Sequence, residues 1–509
     1  MTPRHPVRGH LFPYPPFPWQ SGTNFGPGVP MRQPLCFLLF LLALAGRAQE
    51  RALYYPEDMQ EDLEVFRKAV HQSHPDPYRY VTRTELDRAF DSARAALRMP
   101  LDLRSLEDVL ITVLRKVGDG HLVLQHRSVA DGPRDDMART IPLRVDVRDG
   151  GLHVVDELKG FRSLPPGARI LRIDQLADTA IIARICAGLF SDGDAPDHKL
   201  HHLAQDFPGL FHRHVGQADT YVIHYRDKDG GEASVELRGM TRQEMAVSIR
   251  ETPERTPLWY VTDHAEIGTM WFTVGTLDEE RLLNEGIKVD RVLKDLAQQL
   301  QKGSTKVLVI DVRGAGGREL HMAEKLFALI AQEPYRVVQD MAVRSMDPPP
   351  GFKGTVEAEA FYASAAAHFL PAGKDAYTLR PDDPRLEHLV PSRNAFAGKV
   401  YVVTDGGTVD AGAAFAIMAG RSGRAKLVGS TTGTNALASC GGRMVEVVGP
   451  RTGLVLRMPL MRYTWDGRLR GDPDLGEPPH HRASPRPVDA GTGRDSVKNA
   501  LLMLIRELQ

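Results

Sequence analysis

Between residues 57 and 120 the apolar side chains recur at helical spacing. Met59, Leu63, Phe66 and Val70 form one stripe, and Leu86, Phe90, Ala93 and Leu97 form a second; intervals of three and four turn one helix face inward. Thr84 with Asp87, and Ser105 with Asp108, stand as capping-box pairs at the starts of the second and third helices. A small helical bundle is expected. From about 140 to 240 the period shortens to that of strands, with Gly167 to Asp174 in the middle. Tyr221 to Tyr225, the turn Asp229-Gly230-Gly231 and Ala233 to Leu237 predict a hairpin. From about 257 the order becomes strand, helix, strand, helix. Thr269 to Val274 is followed by a helix with Val289, Val292, Leu296 and Leu300 that stops at Gly303, then by the apolar run Val307 to Ile310. That alternation predicts a parallel sheet with crossover helices.

Two strand-to-helix junctions in the last region carry glycines. The first is Val307-Leu308-Val309-Ile310-Asp311-Val312-Arg313-Gly314-Ala315-Gly316-Gly317, before a helix with Ala323, Leu326, Phe327 and Ile330. The second is Val400 to Thr404, then Asp405-Gly406-Gly407-Thr408-Val409-Asp410, before a helix over Ala411 to Gly420. Glycines past a parallel strand let backbone approach a ligand, and the free amides of the next helix favour developing negative charge. Neither junction is a phosphate loop, because the GxxxxGK[ST] spacing is missing, and Glu319 stands where a third glycine of GxGxxG belongs.

The beginning of the chain has a different character. Residues 1–30 contain eight prolines and no helical or strand period. Met31-Arg32-Gln33, the eleven-residue apolar run Leu35 to Ala45, and Gly46-Arg47-Ala48 before Gln49 then read as a secretory signal peptide. The run is too short to span a bilayer. Export to a periplasm or the outside is expected, with Met31 as the start, a mature chain from near Gln49 and no stable membrane span after signal removal.

Composition narrows the classes further. At roughly 150 residues per domain, 509 residues allow about three domains. The 42% hydrophobic and 25% charged content excludes a polytopic membrane protein, a collagen-like fibre and wholesale disorder. With 64 basic and 65 acidic side chains the net charge is −1, so no nucleic-acid partner is expected. Three cysteines exclude a disulfide framework and a four-thiolate zinc site. Cys186 and Cys440 remain after signal removal, and whether they pair is open.

In order, the chain carries Gly118-Asp119-Gly120-His121, Pro166-Gly167-Ala168-Arg169-Ile170-Leu171-Arg172-Ile173-Asp174, the first glycine junction, and Gly398-Lys399-Val400-Tyr401-Val402-Val403-Thr404. From about Glu57 to the end it resembles the tail-specific, or C-terminal processing, serine proteases, in the histidine-using, tricorn-like branch. The resemblance implies an α/β and α+β multidomain fold: an N-terminal extension and signal peptide over 1–48, a helical bundle over 49–130, a PDZ-like β-rich module over 131–245, and a crotonase-like α/β peptidase domain over 246–509. It implies peptide or protein C-termini as partners, no cofactor and no metal. It also implies His121 as base, with the amides of Gly316, Gly317 and Ala411 as oxyanion hole.

The chain departs from the family at the nucleophile. Where the family reads roughly Thr-x-Ser-Ala, this sequence reads Thr408-Val409-Asp410-Ala411. Ala315 replaces the usual asparagine, Arg318 the last glycine, and Ser430-Thr431-Thr432-Gly433-Thr434-Asn435 lacks the lysine of other branches. Asp410 in a first helical turn is a poor nucleophile, and its charge competes for the oxyanion donors. The expectation is a protease-like domain with weak or no peptidase activity that binds peptide or protein. The alternatives are a hydrolase of another substrate class, with Asp410 and His121 as acid–base pair on a bound water, and an active serine-type peptidase using a serine elsewhere. His198, His201, His202, His212 and His214 lack metal-site spacing and are expected at a solvated tip. His480 and His481 read as loop, and Arg318 as a surface helix-start residue.

Overall fold

The computed structural model describes residues 53–126, 138–158, 162–250 and 257–508. The expected extension and signal segment lies outside the described residues. Three helices come first: α1, Pro56–Ser73; α2, Arg83–Ala96; and α3, Leu103–Leu114. Both predicted stripes are buried. The caps lie earlier than expected. Thr82 caps α2 in a reciprocal box with Glu85, and Asp102 caps α3 at the Ser105 amide. A cap needs extended backbone, which Thr82 has (φ −71°, ψ 156°), whereas Thr84 is already helical. After α3 the chain tightens through residues 115–117 and turns at Gly118, whose φ of 70° is left-handed. It then runs through Asp119 and His121 into β1, Val123–His126.

The middle of the chain forms an antiparallel sheet in sequence order: β2, Leu143–Arg148; β3, Gly151–Glu157; β4, Arg169–Ile173; β5, Thr220–Arg226; and β6, Glu232–Arg238. β5 and β6 are the predicted hairpin, in register from Thr220↔Arg238 to Arg226↔Glu232. Three helices accompany the sheet: α4, Asp178–Gly188; α5, Pro196–Gln205; and α6, Phe207–His214. Together they enclose a core of their own around Ile170, Ile181, Phe207 and Tyr221.

The rest is a second α/β arrangement. Its main sheet contains, in spatial order, β7, Trp259–His264; β8, Thr269–Val274; β9, Val307–Asp311; β11, Lys399–Thr404; β12, Lys426–Gly429; and β15, His481–Arg482. Only the β7–β8 pair is antiparallel, as the predicted crossover helix α7, Val289–Lys302, requires. Helices α8, Leu320–Phe327, and α9, Asp410–Arg421, follow the two glycine junctions, and α10, Ser496–Glu507, closes the chain.

An antiparallel sheet stands alongside, built on β10, Val338–Val343; β13, Ala438–Val448; and β14, Leu454–Trp465. β1 joins it by pairing with β14 from His126↔Leu454 to Val123↔Arg457. Alternate residues of β9 face opposite ways: Leu308 and Ile310 enter the larger core, while Val307 and Val309 meet α10 at Val497 and Leu501. The larger core also takes in Phe66, Leu86 and Leu110, so the N-terminal helices share their apolar interior with α9. The observed class is the expected mixed, multidomain α/β and α+β arrangement.

Candidate active site

The two glycine junctions are adjacent because β9 and β11 are parallel neighbours paired from Val307↔Lys399 to Asp311↔Val403. Both turns therefore leave the same sheet edge, where ligands of parallel sheets sit. Asp405 ties them together by accepting from the amides of Gly314 (2.8 Å) and Gly407 (2.9 Å). The Thr408 hydroxyl reaches back to the Val312 carbonyl at 2.9 Å. The chain then enters α9 through Asp410, whose φ is +49°. A non-glycine residue in the left-handed region costs roughly 1–3 kcal/mol and persists only where its surroundings impose it. Here the Thr434 hydroxyl accepts the Asp410 amide at 2.8 Å.

That sharp turn points Asp410 at His121. Nε2 of His121 lies 2.6 Å from Asp410 Oδ1, and Nδ1 lies 3.1 Å from Asp119 Oδ1. Asp119 Oδ1 also accepts the His121 amide at 2.7 Å, and Oδ2 meets His74 Nε2 at 2.7 Å. The His74 Nδ1 accepts the Asp76 amide at 3.2 Å, so its Nε2 carries a proton toward Asp119. Asp410, His121, Asp119 and His74 thus form one chain of hydrogen bonds drawn from α9, the turn before β1 and the end of α1.

An imidazole between two carboxylates is held as imidazolium. Burial works against charge on His121, but Asp410 and then Asp119 outweigh it, and the group titrates well above its ordinary range. Asp119 is buried too, yet its bonds from His121 and His74 hold it far below the usual carboxylate range. A base needs a free lone pair at Nε2, and Asp410 keeps that nitrogen protonated.

The Gly-rich turn departs from the oxyanion arrangement that the resemblance implies. Its carbonyls are engaged: Ala315 O accepts from Val409 and Gly317 O from Ala411 at 3.0 Å, both in the elbow that leads into α9, while Gly316 O accepts from Leu277 after β8. The Ala411 amide is therefore already engaged, which corrects its expected role. The amides of Gly316 and Gly317 have no acceptor among the described residues and are the two donors left. Close packing sets this geometry, since a Cβ on Gly412 would lie 2.2 Å from Ala315 O and one on Gly317 would lie 2.3 Å from Leu277 O.

His121 and Asp410 open onto a pocket of about 50 Å³ whose walls include Arg318, Met444, Tyr463 and Trp465. Arg318, expected as a surface residue, is half exposed and also lines this pocket. Cys440 and Ser439 line it as well. Burial, reinforced by Asp119 and Asp76, pushes the Cys440 thiol well above its ordinary range, so it is not a thiolate nucleophile. Cys186 and Cys440 are both free thiols.

Donor atoms of Asp119, His121 and Asp192 lie within 4.8 Å of one another, as do those of His74, Asp119 and Cys440. The Asp119 oxygens are already met by N–H groups, however, and the arrangement is that of a hydrogen-bonded relay.

The expectation of a solvated histidine tip fails for His198 and His201 of α5, whereas His202 is exposed. His198 is buried with Nδ1 2.8 Å from the Gly406 carbonyl, and His201 Nδ1 sits 3.4 Å from Asp405 Oδ2. The reason is tertiary: α5 packs on the 405–407 turn, which a helix from a separate β-rich core does not announce in sequence. His480, read as loop, accepts the Leu427 amide at 2.9 Å, and His481 lies in β15.

His74, Asp192 and Thr434 are site residues that sequence reasoning missed. Asp119 was within reach, since it stands two residues from His121 in the motif that marked the base.

Comparison with known proteins follows the same lines. Residues 267–467 match the model of Peptidase family S41. Among solved structures, mature CPAF is similar with a TM-score of 0.61 at 14% identity, covering 89% of this chain and 98% of that one. Mature CPAF complexed with lactacystin gives 0.64 at 14% identity over the same shares. At such identity the likeness is one of fold. A search of curated proteins finds no significant match.

Proposed function

We propose, from the match of residues 267–467 to the model of Peptidase family S41, that this protein binds polypeptide at a protease-like site and cleaves it weakly or not at all. The observation that carries the reading is the 2.6 Å contact between His121 Nε2 and Asp410 Oδ1. On this reading a carboxylate stands where the family has its reacting hydroxyl, and it occupies the nitrogen that a base would need free. Segment 131–245 is read as a PDZ-like docking module for peptide or protein C-termini. Residues 1–48 are read as extension and export signal, with the mature chain periplasmic or secreted. Among the described residues no helix is long and apolar enough to cross a membrane.

The test is a pair of measurements on purified mature chain. Labelled peptides with free C-termini should be retained while casein stays uncut, and Asp410→Ser should release measurable cleavage that is lost again with His121→Ala. Robust proteolysis by the wild type, abolished by His121→Ala, would refute the proposal. With two oxyanion amides free rather than three, the restored rate should stay low, because one missing donor costs about 100–1,000-fold.

A second reading draws on the same contact. An Asp410 carboxylate 2.6 Å from the His121 imidazole suits acid–base work on a bound water and a substrate easier than an amide. In that case turnover of an ester would disappear in both Asp410→Ala and His121→Ala.

A further inference from the structure

The segment between α4 and α5 leaves the middle β-rich core and meets separate pieces of the site. Asp192, only 7% exposed, accepts with Oδ1 from the Gly120 amide at 3.0 Å. Its Oδ2 accepts from the Asn435 amide at 3.2 Å and from the Ser439 hydroxyl at 3.3 Å. Beside it, the Gly193 amide donates to the Gly118 carbonyl at 2.9 Å.

The placement of these partners matters. Gly120 lies between Asp119 and His121, so its peptide orients the backbone that aims the imidazole. Asn435 follows Thr434, whose hydroxyl anchors the amide of Asp410. We infer that Asp192 is the positioning residue that sets His121 against Asp410, by pinning Gly120 with one oxygen and the 435–439 segment with the other. The middle module thereby completes a site whose reacting groups all lie outside it.

The chemistry calls for a carboxylate at this place. The Gly120 and Asn435 amides can only donate, one to each carboxylate oxygen, so an asparagine would turn its NH₂ toward one of them. A buried carboxylate is tolerable only when its lone pairs are met, and three donors meet them here. The titratable groups around Asp192 are Asp119 and His121 in the turn before β1, Tyr80 between α1 and α2, His198 on α5 and Cys440 on β13. Burial raises Asp192 above the usual carboxylate range, with Asp119 adding to the rise and His121 opposing it. Its charge is therefore linked to that of the imidazole.

The inference rests on the His121–Asp410 reading of the site but needs neither turnover nor peptide capture for its test. In full-length chain with ring-labelled histidine, Asp192→Asn should lower the NMR titration midpoint of His121 by about one pH unit, as loss of an opposite charge within 4–6 Å does. Leu203→Ala, a defect in the same middle core, should leave that midpoint in place. An unchanged midpoint in folded Asp192→Asn overturns the inference, and so does an equal shift in Leu203→Ala.

If Asp192→Asn does not fold, the wild type decides. The amide resonances of Gly120 and Asn435 should titrate together with a common midpoint, that of the carboxylate they share, and separate or absent titrations overturn the assignment. A chain that fails to retain peptide yet shows these shifts would lose the proposed function and keep this one.

Discussion

Replacing Asp410 by asparagine removes one charge and almost nothing else. Asparagine matches the size of aspartate and tolerates the left-handed backbone that Asp410 adopts at φ +49°, so the elbow should survive. What changes is the imidazole, which loses an anion 2.6 Å from Nε2. An opposite charge at such range moves a titration by about 1–3 units, and each unit is worth about 1.4 kcal/mol. Because the His121 and Asp410 side chains are 21% and 27% exposed, solvent screening favours the lower end, about 1–2 kcal/mol. The sign follows from the direction of the shift. His121 titrates higher in the folded chain than in the unfolded one, so its contribution is complete below about pH 6.5, the ordinary imidazole value. It fades as the pH rises through the folded midpoint. Urea unfolding at a series of pH values should therefore show wild type more stable than Asp410→Asn near pH 6, with the gap shrinking toward alkaline pH. Histidine NMR should place the variant's His121 midpoint at least one unit lower, at the small end of the 1–3 unit range. An identical midpoint in the two proteins, or a stability gap that widens with pH, would refute the account of a clamped imidazolium.

Two further outcomes test the supports of the site. Thr434→Val keeps shape but leaves the Asp410 amide without its acceptor, which should cost about 1–3 kcal/mol in urea unfolding; an unchanged midpoint would mean that the elbow does not depend on this bond. Arg421 at the end of α9 pairs with Glu477 at 3.0 Å, with both side chains almost fully buried. Arg421→Met leaves Glu477 with Arg470, 3.2 Å from its other oxygen, as the remaining cation, so it should destabilise by about 1–3 kcal/mol, and the double change Arg421→Met with Glu477→Leu should recover part of it. A double variant no better than the single one would count against an electrostatic origin.

Much of the fold was legible in the chain because burial leaves a period. The stripes of α1 and α2, the β5–β6 hairpin and α7 ending at Gly303 all follow the spacing of their apolar residues. Capping was read less well, since Thr82 and Asp102 act before the apolar stripe begins. The site was half legible. His121 and Asp410 were singled out from motif order, and they meet. His74 and Asp192 were not, since each is one polar residue in a segment with no motif, brought to the site by packing.

Residue types and their order determined that a glycine turn follows two of the buried parallel strands, that a histidine stands in the first motif, and that an aspartate stands at the start of the helix after the second junction. Tertiary structure alone decided what those groups do to one another. Contact across 289 positions turned a histidine and an aspartate into an ion pair, and packing turned the carbonyls of Ala315 and Gly317 toward the start of α9. The physical reason is range. Apolar periodicity is written within a few residues, whereas charge state and amide direction depend on distances of about 3 Å between atoms from segments far apart in the chain.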